Sequence, residues 1–591
     1  MSELRDSFAD SRAGTHTVHP LVMGTSGVVT AGHYLAAAAG FRVMQAGGSA
    51  VDAGVAAGIS LNVVLFNMTS FGGVAPIILY HAETDSLVTL DGLGVWPRLA
   101  DIDRLREGGE QGGILRSVTP GAPDSWLTAL ERFGTLTLGE VLEPAWELAM
   151  GAPVATTVAE DLKRREASLD EVDEATREIY FPGGRAPEPG DVMVQEDLAG
   201  VFRALMDEEA AARREGASRE EAIRRARDLI YRGWIAEKMG DFHRENGGWM
   251  RYEDLASHRV EVAPPLGAMY RGYDVYTCGP WCQGPMLLEF LNLLDNFDLE
   301  RLGHNSTEYL HVLIECMDLV FADRENFYGD PRKVEVPMGG LLSPEYGRER
   351  AALVDPERAH GQMPAPGNPW RHETGREDRE VRPVDPTPYI APDARVRSDT
   401  SYAAAADARG NVFSVTPSDP VFWTPVIPGL GFSCSGRGVQ SRTDPDHPSC
   451  LAPGKRPRLT PNPALVMRGG RPLMGFGCPG GDAQTQGMLQ VLLNLVHQGM
   501  SPQEAIEAPR VISRNYPNSF APHAYYPGRV DVEGRIPGEV CQALAGMGHG
   551  VTEMAKWAPG ASSVHIAMIN PGNGVLIGGA DPRREGEAIA W

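Results

Sequence analysis

The sequence predicts an α+β fold of helical layers and short strands, and three observations predict it. Before about residue 350, small and apolar residues recur at helical spacing in several long segments. After residue 400 the chain turns to short apolar runs bounded by Gly, Asn and Asp. Between them lies a Pro-rich, charged stretch that suits neither element. The 591 residues exceed the size at which one core stops growing, so two lobes or one large layered domain with insertions are expected. Hydrophobic residues make up 42% of the chain, ample for such a core.

Residues 33–45 carry apolar and small residues at helical spacing, and Gly47-Gly48 stops them. An Ala-rich helix follows over 50–62, its small residues suited to close helix packing. Ser70-Phe71-Gly72-Gly73-Val74 is a turn into Pro76-Ile77-Ile78-Leu79-Tyr80, a run of buried-strand type. Neither GxGxxG nor a Walker sequence is present and the turn feeds a strand, which argues against a phosphate loop. Thr137-Leu138-Gly139-Glu140 is a capping box for a helix through Met150, and Ser501-Pro502-Gln503-Glu504 is another, with Pro at the first helical position. Residues 155–238 are rich in Glu, Arg and Ala and read as a solvated helical layer, not a partner-binding charge run. A long helix over 308–326 follows Ser306 and Thr307, either of which can cap it; His304 and His311 read as capping and packing residues without a carboxylate partner at an obvious spacing. From 355 to 398 the Pro, Gly, Arg, Asp and Glu content cannot bury enough apolar surface to offset ordering entropy, which predicts a mobile tail.

The formal net charge of −24 opposes nucleic-acid or anionic-membrane partners, which select for excess Lys and Arg. The acidic start, Met1-Ser2-Glu3-Leu4-Arg5-Asp6, differs from a signal peptide and no run suits a membrane helix, so a cytoplasmic enzyme acting on a small molecule is expected. Seven cysteines without a CxxC pair or a histidine at ligand spacing read as buried thiols, and neither a metal nor a cofactor is indicated.

Two segments carry chemistry. Thr400 stands before Ser401-Tyr402-Ala403-Ala404-Ala405-Ala406, a turn over Asp407 to Asn411, and Val412-Phe413-Ser414-Val415-Thr416, which is strand, tight hairpin, strand. If the bond before it is cut, its hydroxyl gains its own base, because a free α-amino group titrates at about 7.7–8.0; the other reading is a polar residue that merely opens a strand. In the second segment, the strand 473–477 ends in Cys478-Pro479-Gly480-Gly481-Asp482 and a helix follows. Glycines there leave amide N–H groups uncovered for an oxyanion, or simply serve a turn that needs positive φ.

These blocks together resemble the γ-glutamyltranspeptidase family of N-terminal-nucleophile hydrolases over nearly the whole chain. The resemblance rests on Gln45-Ala46-Gly47-Gly48-Ser49-Ala50-Val51-Asp52-Ala53, Thr119-Pro120-Gly121-Ala122-Pro123, Gly303-His304-Asn305-Ser306, Phe321-Ala322-Asp323-Arg324, Asp399-Thr400, Pro479-Gly480-Gly481, Glu507-Ala508-Pro509-Arg510 and Asp581-Pro582-Arg583. It implies a four-layer αββα sandwich and a precursor cut between Asp399 and Thr400 into a large subunit, 1–399, and a small catalytic one, 400–591. It implies Thr400 as nucleophile, Ser418 where the family has a supporting threonine, and Gly480 and Gly481 at the oxyanion hole. Two such heterodimers in a dimer is one assembly left open.

The resemblance breaks at substrate recognition. The family's glutamate-binding arginine falls near Ile102, its aspartate near Arg437, and its serine pair around Leu459-Thr460-Pro461. A guanidinium would repel an ammonium group and favour a carboxylate, so Arg437, Thr460 and, more weakly, Arg116 are the substrate-binding candidates, Arg116 reading otherwise as a surface ion. The expected reaction is hydrolysis of an amide or activated C–C bond beside a carboxylate or dicarbonyl group, as in the family's oxamate amidohydrolase or its oxalyl-releasing enzymes of antibiotic biosynthesis in bacteria. The alternatives are a γ-glutamyl hydrolase or transpeptidase with changed recognition, and an uncleaved binding relative.

Overall fold

A computed structural model describes residues 17–107, 113–375, 378–386 and 399–591. Two large antiparallel sheets form its centre. One runs in the order Val22–Gly24, Leu576–Gly579, His565–Ile569, Arg471–Gly477, Ala464–Arg468, Tyr273–Thr277, Leu266–Tyr270. The other runs Glu587–Ala590, Gly27–Ala31, Ala403–Asp407, Val412–Val415, Ile77–His81, Ser86–Leu90, Val262–Ala263. Each sheet thus mixes strands from before and after residue 400.

Side-chain alternation along the strands builds the layers. Ala404, Ala406, Val412 and Ile78 of the second sheet meet Leu465, Met467, Ala567 and Leu576 of the first in a dry layer between the sheets. Their neighbours Ala403, Ala405 and Phe413 turn outward to pack under the helices Tyr34–Gln45 and Ala50–Val64. Helix Ala50–Val64 lies close enough that a Cβ on Gly54 would enter the Phe413 ring. On the far side, Ala464, Val466, Met474 and Phe476 pack beneath Gly284–Leu294, Thr307–Phe327 and Gln484–His497. The architecture is therefore the αββα sandwich.

Local signals act as the sequence predicts. Thr137 and Ser501 each close a capping box, and Ser306 accepts the Tyr309 amide to start Thr307–Phe327; Ser49 closes a third box that the sequence reading did not name. The hairpin residue Asp407 accepts the Asn411 and Arg409 amides on one oxygen and the Ala50 amide on the other, tying the hairpin to the helix it packs under. All seven cysteines are free, six buried and Cys541 half-buried. Among the described residues no helix is long and apolar enough to cross a membrane.

Two expectations need correction. The stretch from 355, expected to be mobile, is laid against the protein over 355–375: the His360 and Gly367 amides donate to the buried carboxylates of Glu315 and Asp323, the Met363 amide donates to the Tyr525 hydroxyl, and Trp370 is buried. Composition missed this because a few anchors suffice: buried polar partners for the amides, and Met363 and Trp370 packed on the core. Residues 376–377 and 387–398 of the expected tail, and the acidic leader, lie outside the described residues. The second correction concerns His311, which does have a carboxylate one turn away. Glu315 and His311 share the helix Thr307–Phe327, His549 meets His311 at 2.8 Å, and Glu315 pairs with His360.

A buried ion cluster joins the two parts of the chain. Glu325 accepts Arg324 at 2.7 Å, Arg458 at 2.7 Å, Arg442 at 2.6 Å and His447 at 3.2 Å. Burial pushes the Glu325 carboxyl up, but Arg458, Arg442 and Arg324 together hold it well below the usual range. Its contribution to stability is therefore present above the ordinary glutamate value and is lost as pH falls through the depressed one. Glu325→Gln strands two buried cations, Arg442 and Arg458, while Arg324 keeps Asp482, and is expected to cost about 3–5 kcal/mol at pH 7. Urea unfolding measures this, and a loss below about 1 kcal/mol would show that the arginines find other partners.

Candidate active site

Thr400 precedes the strand Ala403–Asp407 near the middle of the second sheet, fully buried in the uncut chain. Its amide donates to the Met68 carbonyl at 3.0 Å and the next amide, Ser401, to the Pro417 carbonyl at 2.9 Å. These bonds hold Thr400 at φ +79°, a conformation unfavourable for a β-branched residue. Asp419 at φ +87° and Ser562 at φ +73° share the left-handed region.

Ser418 faces Thr400, their hydroxyl oxygens 2.7 Å apart. The turn at 70–74 positions it: the Ser418 amide donates to the Val74 carbonyl at 2.9 Å, and a Cβ at Gly73 would collide with the Ser418 carbonyl. The glycines that resembled a phosphate loop thus serve close backbone approach. Ser418 donates to Asp399 Oδ2 at 3.0 Å, so hydroxyl, hydroxyl and carboxylate form a chain across the Asp399–Thr400 bond.

Arg437 closes that chain. Its Nη2 donates to Asp399 Oδ2 at 2.5 Å and also to Ser418 Oγ, while its Nε lies 2.8 Å from Asp419 Oδ1. The guanidinium is fully buried, with its carbon 5.1 Å from the Trp423 ring centre and 5.8 Å from that of Phe520. Among the described residues its Nη1 has no hydrogen-bond acceptor. Ser435 donates to Asp419 at 2.5 Å. Burial pushes the Asp419 carboxyl up to about 6, against the pull of Arg437. Arg584 is a second cation near enough to feel the Asp399 charge.

Gly480 at φ +129° and Gly481 at φ +58° form the predicted junction, followed by a short 3-10 turn and the helix Gln484–His497. Among the described residues their amides donate to no acceptor. Gln283 pins the junction by donating to the Gly481 carbonyl at 2.9 Å and the Thr460 carbonyl at 3.1 Å. Asp482 adds a second anchor, taking Arg324 and the Ser519 amide. Phe520 links the parts, since a Cβ on Gly481 would touch the ring that also faces Arg437.

The structure thus brings Asp399, Thr400, Ser418 and Arg437 together. Thr460 is less direct: its hydroxyl is taken by Gln440 at 2.9 Å, in the turn Arg437–Gln440. Arg116 is corrected from surface ion to buried residue, because it donates to the Gly438 carbonyl at 3.0 Å beneath that turn. Ile102 packs in an apolar cluster with Trp96 and Trp249, as expected of a position without the family's arginine. Sequence reading missed Asp419, Ser435, Trp423, Phe520 and Met68. Asp419 alone had a signal, an acid adjoining Ser418 and suited to a buried arginine.

Comparison with known proteins gives the family. The model of the family described as Gamma-glutamyltranspeptidase matches residues 36–591. The "Glutathione hydrolase-like YwrD proenzyme" of Bacillus subtilis is 32% identical, over 96% of this chain and 99% of its own length. The "Oxamate amidohydrolase proenzyme" of Klebsiella pneumoniae is 26% identical, over 97% of this chain and 100% of its own. The solved structure of LmbA2991HD covers 97% of this chain and 100% of its own at a TM-score of 0.88 and 32% identity. The chain is a member of the gamma-glutamyltranspeptidase family of N-terminal-nucleophile hydrolases, enzymes made as proenzymes.

Proposed function

We propose that the chain cuts itself before Thr400 and then uses Thr400 to hydrolyse an amide or activated C–C bond beside a carboxylate or dicarbonyl group. In the first stage the Thr400 hydroxyl attacks the Asp399 carbonyl carbon and passes its proton towards Ser418. The C–N bond breaks as the Thr400 nitrogen takes a proton, leaving an ester on Thr400. Water cleaves this ester to an Asp399 carboxylate and a free hydroxyl. In the second stage the new α-amine serves as base, the substrate acyl group passes through the same ester, and the Gly480 and Gly481 amides receive the oxyanion.

The observation that carries the reading is Arg437, a buried guanidinium beside the Ser418 hydroxyl that faces Thr400; the guanidinium Nη1 has neither a hydrogen-bond acceptor nor a carboxylate beside it among the described residues. A buried donor left unmet costs about 1–3 kcal/mol, and a substrate carboxylate would satisfy it. The oxamate amidohydrolase among the relatives supports the same substrate class. A second reading, γ-glutamyl hydrolysis, is favoured by the name of the Bacillus subtilis relative and predicts turnover of a γ-glutamyl anilide. A cytoplasmic setting for the cut heterodimer belongs to the same proposal.

Intact mass of purified wild type is expected to give two fragments meeting at Asp399 and Thr400, and Thr400→Ala one uncut chain; an uncut, active wild type would remove Thr400 as nucleophile. Because Arg437 touches both the scissile residue and Ser418, its substitution disturbs both stages, and the carboxylate requirement is better tested on the substrate. The cut wild type is expected to prefer a carboxylate-bearing amide over its methyl ester by roughly 10²-fold or more in kcat/KM. Equal rates would count against recognition by Arg437. The Asp419 carboxyl adds a pH dependence. Its folded value exceeds the unfolded one of about 3.9, so its stability contribution is present below pH ~4 and lost as pH rises through about 6. The ion pair with Arg437 forms over that rise, and kcat/KM is expected to fall as pH drops below about 6, an inflection absent from Asp419→Asn.

A further inference from the structure

The uncut chain is its own first acyl donor, and the groups that meet it show what later donors must look like. Thr400 Oγ attacks the Asp399 carbonyl in self-cleavage and the substrate carbonyl in turnover, so both carbonyls occupy one place relative to that oxygen. On the Asp399 side, the acyl group also carries a carboxylate, and it lies in the centre of the site. Asp399 Oδ2 accepts Arg437 Nη2 at 2.5 Å and Ser418 Oγ at 3.0 Å, with all three residues fully buried.

Cutting changes the partners of Arg437 unequally. Asp419, Ser435, Trp423 and Phe520 lie in 400–591 and stay around the guanidinium, whereas Asp399 becomes a chain end of the other fragment, free to leave. Arg437 then loses one of its two carboxylates while remaining buried, a state that costs several kcal/mol until another anion arrives. A carboxylate held in the same place restores the pairing.

We infer that the Asp399 side chain is a built-in stand-in for the substrate carboxylate, and that the preferred acyl group therefore has the spacing of an aspartyl residue. In Asp399 the Cα and Cβ carbons stand between the attacked carbonyl and the carboxylate. The matching small substrates are succinamic-type amides, including N-substituted succinamates and β-aspartyl amides, which keep two carbons in that position. Oxamate has none, malonamate one and glutaramate three. The inference rests on the reading that Arg437 receives the substrate carboxylate, and adds the distance at which it does so.

Two measurements test it. The first compares kcat/KM of cut wild type for oxamate, malonamate, succinamate and glutaramate, and for succinamate methyl ester. Succinamate is expected to exceed oxamate and glutaramate by at least tenfold and its methyl ester by about a hundredfold. If another acid is best and still outruns its ester, the spacing inference is overturned while the carboxylate reading stands; if acids and esters react alike, the carboxylate reading falls as well. The second measures succinate binding by calorimetry to the uncut Thr400→Ala chain and to the uncut Asp399→Ala, Thr400→Ala chain. The double variant is expected to bind at least tenfold more tightly, because the position is vacated. Equal binding by both chains would overturn the stand-in role, and thermal unfolding of each confirms that a folded protein is compared.

Discussion

A guanidinium taken fully out of water must be met by carboxylate, and the burial of Arg437 imposes that demand on everything around it. Desolvating such an ion costs several kcal/mol, so its neighbours are fixed by charge before they are fixed by shape. Asp399 at Nη2 and Asp419 at Nε supply the charge, while Trp423 and Phe520 cover the guanidinium and keep water away. Ser418 lies between Arg437, Asp399 and Thr400 and takes its orientation from all three. The hydroxyl of Thr400 therefore points where the ion pair directs Ser418. The elevated Asp419 carboxyl shows the opposing cost, since even next to an arginine its burial dominates.

The sandwich makes this arrangement affordable. Strand Ala403–Asp407 is hydrogen-bonded on both edges, to Gly27–Ala31 and Val412–Val415, and its alanines let layers close from above and below. A residue just before so constrained a strand has little freedom, and the Met68 carbonyl removes more. The glycine junction is fixed just as firmly from the other sheet, where Gln283 holds Gly481 and the Arg324–Glu325 cluster holds Asp482. Nucleophile and amide donors thus stand on separate sheets, each anchored by buried polar groups of the residues before 399.

Local chemistry was legible in the sequence and long-range pairing was not. The capping boxes at Thr137 and Ser501, the hairpin at 407–411 and the strand, glycine, helix order at 473–497 follow rules that act over a few residues, and the structure has them all. Thr400 and Ser418 were legible through family resemblance, and Arg437 as a departure from it. The contacts that hold the site residues in place were hidden because they join pairs distant in sequence, such as Gly73 against Ser418, Arg116 beneath Gly438 and Gln283 bridging Thr460 to Gly481. The Pro-rich stretch misled for a related reason. Composition measures average apolar content, and its described part is held by a few anchors, the carboxylates of Glu315 and Asp323 and the buried Trp370.

Strain and charge act in the same direction at the proposed cut. Thr400 at φ +79° stores energy of a kind worth about 1–3 kcal/mol, and φ loses its meaning once the residue has no carbonyl before it. If that energy is released on the way to the transition state, it is worth about ten- to hundredfold in rate. The ion pair between Asp399 and Arg437 meanwhile holds the scissile carbonyl beside its nucleophile, which supplies positioning without a bound substrate. Both effects are spent when the bond is cut: the torsion relaxes, and the aspartate leaves as a chain end. What remains is a relaxed threonine with a free amine and an arginine short of one carboxylate, so the interactions that favour self-cleavage leave behind the charge that calls for a substrate.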